Sequence, residues 1–212
     1  MLKIFIGWDE REAVAADVLK HSLRKYSSID LDIKYLELKK LDFHRERDPL
    51  QATDFTYTRF LVPHLCEYKG KAIFMDCDML CLSDIRELNE LDMDGYALRV
   101  VKQTHIPKEL TKMDGRIQTI YPRKNWSSLM LMNCANLKLW SKEFVEKAYG
   151  STLHRFVGIP DALIGELPQR WNELDTCTSM VHYTSGGPWE QGYENILHGT
   201  IWKTHRRELN EY

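Results

Sequence analysis

The chain has 212 residues, of which 43% are hydrophobic and 28% are charged. These proportions are typical of a globular protein, so they exclude a wholly disordered chain. The length suits one domain better than two, and we expect a single domain spanning residues 1–212. Lys and Arg number 29 and Asp and Glu number 31, a net charge of −2, which argues against a general nucleic-acid or membrane-surface binder.

Targeting and redox signals favour a cytoplasmic protein, of the cell or of a virus-infected host cell. The sequence contains no apolar run of the roughly 18 residues that a membrane-spanning helix requires. Its N-terminal apolar stretch, LKIFIG, is also too short for a secretory signal peptide. The five cysteines include no C-x-x-C pair, so neither a disulfide framework nor a zinc knuckle is predicted.

The first half of the chain alternates between strand and helix patterns. Predicted in order are a strand at 3–7, a helix at about 12–26, a strand at 31–35, a helix near 60–65 and a strand at 72–75. Strands that alternate with helices form parallel sheets with right-handed crossovers. The sequence therefore predicts an α/β fold with a mainly parallel central sheet flanked by helices.

The second half of the chain is less regular. Strands are predicted at 96–101, 129–132 and 180–183, and apolar residues at helical spacing predict a helix within 137–148. The basic stretch 103–124 follows neither the strand nor the helix period. We therefore interpret it as a long loop or lid.

Two carboxylates directly follow the strand at 72–75. Asp76 and Asp78 are two residues apart, so in an extended segment both side chains point to the same side. Like charges at one point repel unless a cation neutralises them, and carboxylate oxygens suit Mg²⁺ or Mn²⁺. Ligands of open α/β sheets also collect at the carboxyl ends of strands. The pair therefore marks a candidate metal site, although a solvated turn after the strand accounts for the pattern equally well.

Two enzyme classes use such a pair at the end of a strand. In phosphatases of the haloacid-dehalogenase type, the first carboxylate, here Asp76, is the nucleophile. Their pair usually lies near the start of the chain and is followed two residues later by Thr or Val, whereas Leu80 occupies that position here. In nucleotide-sugar transferases, the pair holds a metal ion that bridges the two phosphates of the donor.

Four sequence blocks together favour the transferase class. They are, in order, KIFIGWDERE, FTYTRFLVPHLCEYKGKAIFMDCDMLCLSDI, NWSSLMLMNC and VHYTSGGPW. In the order and spacing of these blocks, the chain resembles GT-A-fold glycosyltransferases, specifically the family 8-like group of retaining enzymes. The blocks are also similar to glycosyltransferase domains of large algal DNA viruses and of bacterial glycan loci. The resemblance runs from Lys3 to Trp189.

The resemblance implies a single Rossmann-like GT-A domain, with a nucleotide-binding half at about 1–100 and an acceptor-side half at about 101–212. It implies transfer of a hexose or deoxyhexose from a UDP-sugar to a hydroxyl of a glycan or glycoprotein acceptor, with retention of configuration. The resemblance also allows further domains of a longer polypeptide as partners. The alternatives are the phosphatase described above and a non-catalytic nucleotide-sugar binder.

The resemblance implies Mn²⁺ as the cofactor, with Mg²⁺ as the alternative, and it assigns the metal ligands. Asp76 and Asp78 match the family's D-x-D positions, and His182 matches the His of the fourth block. An imidazole nitrogen among oxygen ligands favours Mn²⁺ over Mg²⁺. The alternative for His182 is an ordinary histidine at a strand end with a local hydrogen bond.

The resemblance also assigns residues to the nucleotide-sugar donor. These are Ile6, Gly7, Asp9, Arg11, Arg59, Cys77, Gly186 and Gly187. Gly7 would allow close approach of the base, Asp9 would accept from a ribose hydroxyl, and Arg11 would reach a phosphate. Gly187 stands where the family has a Lys that contacts the phosphates, so Arg59 and Lys203 are candidates for supplying that positive charge. The alternative for Arg59 is an ordinary surface arginine on a helix.

Depending on the alignment, the family's residue near the anomeric carbon of the donor corresponds to Pro160 or Asp161, and of these the resemblance points to Asp161 as the catalytic residue. Asp161 lies in the segment GIPDALIGELP, the best match to the family's D-Q-x-x segment. The alternative is that Asp161 caps the N-terminus of a helix. Ser127 and Ser128 of the third block would line the sugar pocket or simply pack within a strand. Trp171 and Asn172 would bound an acceptor site, unless the Trp belongs to the core.

Overall fold

A sheet of six strands runs through the centre of the molecule. The computed structural model describes residues 1–49, 51–103, 122–172, 174 and 176–211. The strands in this part of the chain are β1 (Leu2–Trp8), β2 (Leu31–Glu37), β3 (Lys71–Met75), β4 (Met79–Cys81), β5 (Leu98–Val100), β6 (Leu129–Asn133), β7 (Ile164–Glu166) and β8 (Met180–His182). The central sheet has the order β2-β1-β3-β6-β5-β7, and β4 pairs with β8 in a small second sheet.

The central sheet is mostly parallel, as the alternation of strands and helices predicts. β1 is parallel to both β2 and β3, and β5 is parallel to β7. β6 is antiparallel to its neighbours β3 and β5, so it runs against the other strands of this sheet. The predicted α/β fold class is therefore confirmed.

The middle strands of the sheet form the core. Ile4 and Ile6 of β1 and Ile73 and Phe74 of β3 are all 0% exposed. Such continuous apolar runs are typical of strands that helices cover on both faces. Each fully buried side chain of this kind contributes about 1.5–3 kcal/mol relative to an exposed one.

Helices flank the sheet. They are α1 (Ala13–Tyr26), α2 (Phe55–Thr58), α3 (Val62–Leu65), α4 (Arg86–Asn89), α5 (Lys142–Lys147), α6 (Gly150–His154) and α7 (Gly199–Asn210). α1 packs against β1, β4 and α7. It buries Ala15, Leu19 and Leu23 at helical spacing, and its bounds agree with the helix predicted at about 12–26. None of the described helices has both the length and the apolar character that crossing a bilayer requires.

The helix predicted near 60–65 begins earlier, at Phe55, and is interrupted. A 3-10 turn at Arg59–Leu61 separates α2 from α3. Pro63 lies in the first turn of α3, where its missing N–H removes no hydrogen bond from the helix. Arg59 lies in this 3-10 turn and is 7% exposed, so its side chain is buried.

The helix that Asp161 would cap, in the alternative interpretation of that residue, does not form. The chain there forms a 3-10 turn at Asp161–Leu163 and then the short strand β7. A three-residue strand is too short to show the alternation by which strands are recognised. Residues 104–121, which make up most of the predicted loop or lid at 103–124, lie outside the described residues.

The topology brings several chain segments to one edge of the sheet. β1 and β3 are parallel neighbours, so their carboxyl ends lie at the same edge. The pairing of β4 with β8 places Met79 opposite His182, which carries the end of β8 to the segment that follows β3. The Asp76 amide donates to the Ser128 carbonyl at 2.9 Å, so the start of β6 joins the same edge.

Candidate active site

Asp76, Asp78 and His182 converge at this edge of the sheet. One ligand atom from each of the three lies within 4.8 Å of the other two. His182 Nε2 is 3.2 Å from Asp78 Oδ1, and His182 itself is only 6% exposed. Two carboxylates and an imidazole form a donor set that fits Mn²⁺ or Mg²⁺. Among the described residues, these three are the group of metal-ligating side chains that the geometry brings together.

Arg59 is a buried partner of this cluster rather than a surface arginine. Its Nη1 is 2.8 Å from Asp76 Oδ1 and donates to the Ser127 carbonyl at 3.0 Å. The guanidinium also lies over the rings of Phe55 and Phe74, 5.3 and 4.9 Å from their centroids. This environment orients the guanidinium toward Asp76, since the two rings and the carbonyl leave it little freedom to turn.

Asn172 contacts the cluster from its buried side. Its Oδ1 is 2.7 Å from His182 Nδ1, and its Nδ2 donates to Ser128 Oγ at 2.8 Å. Asn172 is 0% exposed. The sequence places Asn172 at an acceptor site, and its contact with His182 was not predicted. No periodicity marks residues 169–172, so no sequence signal identifies this contact.

The hydroxyls of the two serines in the third block are engaged within the protein. Ser127 Oγ lies 2.9 Å from His154 Nδ1, and Ser128 Oγ donates to the Asn125 carbonyl at 2.5 Å. Burial, followed by the charge of Arg59, lowers the pKa of His154 to about 3. His154 is therefore a neutral packing partner behind the cluster.

Asp9 anchors Arg11 beside the end of β1. Its carboxylate accepts from Arg11 Nε at 2.9 Å and Nη2 at 2.7 Å, and from the Asp54 amide at 3.1 Å. Burial acts to raise the pKa of Asp9, but the hydrogen bonds from Arg11 and Asp54 more than offset it, so that pKa is lowered. The side chain of Arg11 is 52% exposed, which leaves it accessible to a ligand.

Gly7 has no side chain, and the ring of Phe55 occupies the space that one would fill. A Cβ atom at Gly7 would lie 2.4 Å from the ring of Phe55. Ile6, also assigned to the donor, is 0% exposed in the core, so its side chain packs within the sheet. A side chain at position 7 is therefore excluded by packing inside the protein.

Cys77, which lies between Asp76 and Asp78 in the chain, contacts Glu12, the residue before α1. Cys77 Sγ donates to Glu12 Oε2 at 3.1 Å. Burial, followed by the charge of Asp78, raises the pKa of Glu12 to about 7. Burial and the charge of Glu12 raise the pKa of the Cys77 thiol as well. The role of Glu12 was not predicted from the sequence.

Gly186 and Gly187 form a turn that packs Trp189. Gly186 has a φ of 120°, a conformation that side chains rarely adopt, and its amide donates to the Tyr183 carbonyl at 3.1 Å. A Cβ atom at Gly187 would lie 2.0 Å from the ring of Trp189. Gly187 thus has a packing role in the chain itself, and Gly186 supplies the backbone conformation before it.

Asp161 does not cap a helix, so the capping alternative was wrong. It is the first residue of a 3-10 turn whose N-cap position, Pro160, makes no side-chain hydrogen bond. The Asp161 side chain is 83% exposed and forms an ion pair with Arg123. Arg123 also lies 5.5 Å from the ring of Trp126.

Residues 8–169 match the family described as glycosyl transferase family 8. The chain belongs to this family. It is 42% identical over 226 residues to Protein CDI of Arabidopsis thaliana, a match that covers 99% of this chain and 87% of that protein. The resemblance stated from the four sequence blocks is therefore confirmed.

Solved structures support the same fold at low sequence identity. The apo structure of the bifunctional glycosyltransferase WbbM gives a TM-score of 0.68 at 14% identity, with 99% of this chain and 51% of that one covered. The galactosyltransferase LgtC, solved with donor and acceptor sugar analogues, gives a TM-score of 0.63 at 12% identity and covers 98% and 96%. This chain therefore spans about half of the WbbM chain and nearly all of LgtC, and it has the GT-A fold.

Proposed function

We propose that this family 8 glycosyltransferase uses a divalent ion, Mn²⁺ or Mg²⁺, to transfer a hexose or deoxyhexose from a UDP-sugar. The acceptor is a hydroxyl of a glycan or glycoprotein, and the anomeric configuration is retained. The observation that carries the proposal is the convergence of Asp76, Asp78 and His182 at the carboxyl edge of the sheet. Ligands of open α/β folds bind at that edge.

The charge around the cluster supports the need for a divalent ion. Asp76, Asp78 and Glu12 are close enough that the charges of the two Asp residues act on the pKa of Glu12. Arg59 is the guanidinium in contact with Asp76. This surplus of negative charge repels a diphosphate unless a cation lies between them. A bound divalent ion supplies Lewis-acid stabilisation of the charge on the departing diphosphate.

The residues of the chain bind and orient the donor. Arg59 holds Asp76 in place from the buried side. Arg11 has a half-exposed side chain. Because its Nε and Nη2 donate to Asp9, Nη1 is the group that would contact a phosphate. Asp161 is proposed as the carboxylate that orients the transferred sugar.

Hydrolysis of the donor without an acceptor tests the reaction, since it does not require the acceptor to be known. We expect a UDP-sugar to release UDP slowly in Mn²⁺. ADP- and GDP-sugars should release their nucleoside diphosphates more slowly still. Asp78→Ala should abolish the release of UDP, whereas the exposed control Asp94→Ala should not. UDP binding without sugar release from any UDP-sugar would instead indicate a non-catalytic binder. Hydrolysis of phosphomonoesters through a phosphorylated Asp76 would favour the phosphatase alternative.

Asp161→Asn tests the proposed sugar-orienting carboxylate in the same assay. A carboxylate near the anomeric carbon stabilises the transition state more than the bound donor. We therefore expect the donor dissociation constant to change by less than about threefold and turnover to fall about 100-fold, a barrier increase of about 2.7 kcal/mol. Arg123→Gln removes the ion-pair partner and serves as the control. Normal turnover by Asp161→Asn would remove Asp161 from the mechanism.

A further inference from the structure

We infer that Asn172 is a positioning residue that fixes the tautomer and the ring orientation of His182, so that Nε2 is the atom presented to the metal. This inference rests on the metal site of the proposed function. It begins from the 2.7 Å contact between Asn172 Oδ1 and His182 Nδ1. Both residues are buried, at 0% and 6% exposure.

The orientation of the Asn172 amide is determined by its other contacts. Its second amide atom lies 3.3 Å from the Asn125 carbonyl oxygen and 2.8 Å from Ser128 Oγ. A backbone carbonyl cannot donate a hydrogen bond, so the atom facing it must be the NH₂ group. Oδ1 therefore faces His182, and Oδ1 can only accept.

Ser128 closes the chain of hydrogen bonds. Its hydroxyl donates to the Asn125 carbonyl at 2.5 Å, so its oxygen is left to accept from Asn172 Nδ2. Every donor in the series then has one acceptor: His182 Nδ1–H to Asn172, Asn172 to Ser128, and Ser128 to the carbonyl. Reversing any one bond would leave two acceptors in contact, which costs about 1–3 kcal/mol for a buried group.

The backbone around Asn172 holds its side chain in place. Its amide donates to the Gln169 carbonyl at 3.0 Å, and its own carbonyl accepts from Gln103 Nε2. The preceding Trp171 is 0% exposed. Asn172 is therefore fixed by its neighbours before any ligand binds.

The consequence is a defined ligand atom. With the proton on Nδ1, His182 Nε2 carries a lone pair, and it lies 3.2 Å from Asp78 Oδ1. Two atoms that both carry lone pairs repel each other at this distance, unless a cation binds to both. Loss of an outer partner of a ligating histidine usually weakens metal affinity about 10- to 100-fold.

The first test uses the wild-type protein without metal. Protein labelled with ¹⁵N-histidine is examined by NMR at a pH where the His182 imidazole is neutral, and the His182 signals are assigned by their absence in His182→Gln. We expect the Nδ1–H tautomer. The Nε2–H tautomer would overturn the inference, whether or not the protein binds metal, so this result is independent of the proposed function.

The second test compares Mn²⁺ affinity between two variants by titration calorimetry. Asn172→Leu has a similar volume but cannot accept, and Asn172→Asp can still accept from Nδ1–H. We expect the Mn²⁺ dissociation constant to rise about 10- to 100-fold in Asn172→Leu and to recover largely in Asn172→Asp. Unchanged affinity in folded Asn172→Leu would overturn the inference. Failure of the wild type to bind Mn²⁺ would instead reject the proposed metal site and leave the tautomer measurement to decide the role of Asn172.

Discussion

Arg59 lies against two aromatic rings and beside a carboxylate. Its side chain is 8% exposed and that of Asp76 is 15% exposed. Arg59→Met keeps much of the packing but leaves the Asp76 charge without this partner. Removing one member of a buried ion pair costs about 3–5 kcal/mol, so we expect a loss near the lower end of that range in metal-free urea unfolding.

The control for Arg59 is Arg86→Met, which removes an exposed ion pair between the first residue of α4 and Glu90, the residue after its end. Exposed pairs of this spacing contribute about 0.3–0.5 kcal/mol. We also expect Mn²⁺ to restore part of the stability lost in Arg59→Met, because a cation at Asp76 replaces the missing charge. Equal losses in the two variants would show that Arg59 does not stabilise Asp76.

Glu12 makes the metal-free protein sensitive to pH. Burial and then the charge of Asp78 raise its folded-state pKa from 4.5 to about 7, so the folded protein retains a proton that the unfolded chain loses. The free energy of unfolding therefore falls as pH rises from about 4.5 to about 7. Glu12→Gln cannot ionise, so in chelator we expect it to melt above the wild type at pH 8 and close to it at pH 4.5.

The matched control for Glu12 is Glu10→Gln in the same turn, because the Glu10 side chain is 76% exposed. Thermal melts across the pH range should show the wild-type slope in this variant. If Glu12→Gln keeps that slope as well, the raised pKa of Glu12 is wrong. The functional implication is that Glu12 adds negative charge to the site above about pH 7, which a metal ion would offset.

At the level of elements, the packing of α2 on β1 depends on Gly7. A methyl group there would lie 2.4 Å from the Phe55 ring, closer than real contacts allow. We expect Gly7→Ala to destabilise the protein by about 1–3 kcal/mol, the usual cost of overpacking. The reason is displacement of Phe55 and with it the helical segment that carries Arg59.

A double-mutant cycle checks this explanation. Phe55→Leu is smaller and makes room at Gly7, so the double variant Gly7→Ala/Phe55→Leu should lose less stability than the sum of the two single losses. Chemical unfolding of the four proteins supplies the comparison. Additive losses would mean that the added methyl group does not act through Phe55.

The elements also show what a sequence can and cannot predict. β1, β3 and β6 are central strands with long apolar runs, and their positions agree with the prediction to within one or two residues. The strand β7 is three residues long, too short for any period to appear. α2 and α3 are four residues each, too short for the helical period to repeat in the sequence.

At the level of the whole molecule, the candidate site is assembled from strand ends that are distant in the sequence. Asp76, Asp78 and His182 could be predicted together because each follows or ends a strand, and the family resemblance aligned them. The contacts of Asn172 with Ser128 and of Glu12 with Cys77 span 44 and 65 positions. Such contacts depend on the fold, so local sequence patterns do not encode them.

The central claim is that a nucleoside diphosphate binds this protein through a metal ion held by Asp76, Asp78 and His182. Titration calorimetry with UDP, in Mn²⁺ and then in excess chelator, tests it most directly. We expect binding in Mn²⁺ that is lost in chelator and in Asp78→Ala and retained in Asp94→Ala. UDP at 100 times its dissociation constant should correspondingly raise the free energy of unfolding by about 2.7 kcal/mol. An equal UDP affinity with and without Mn²⁺ would contradict the claim.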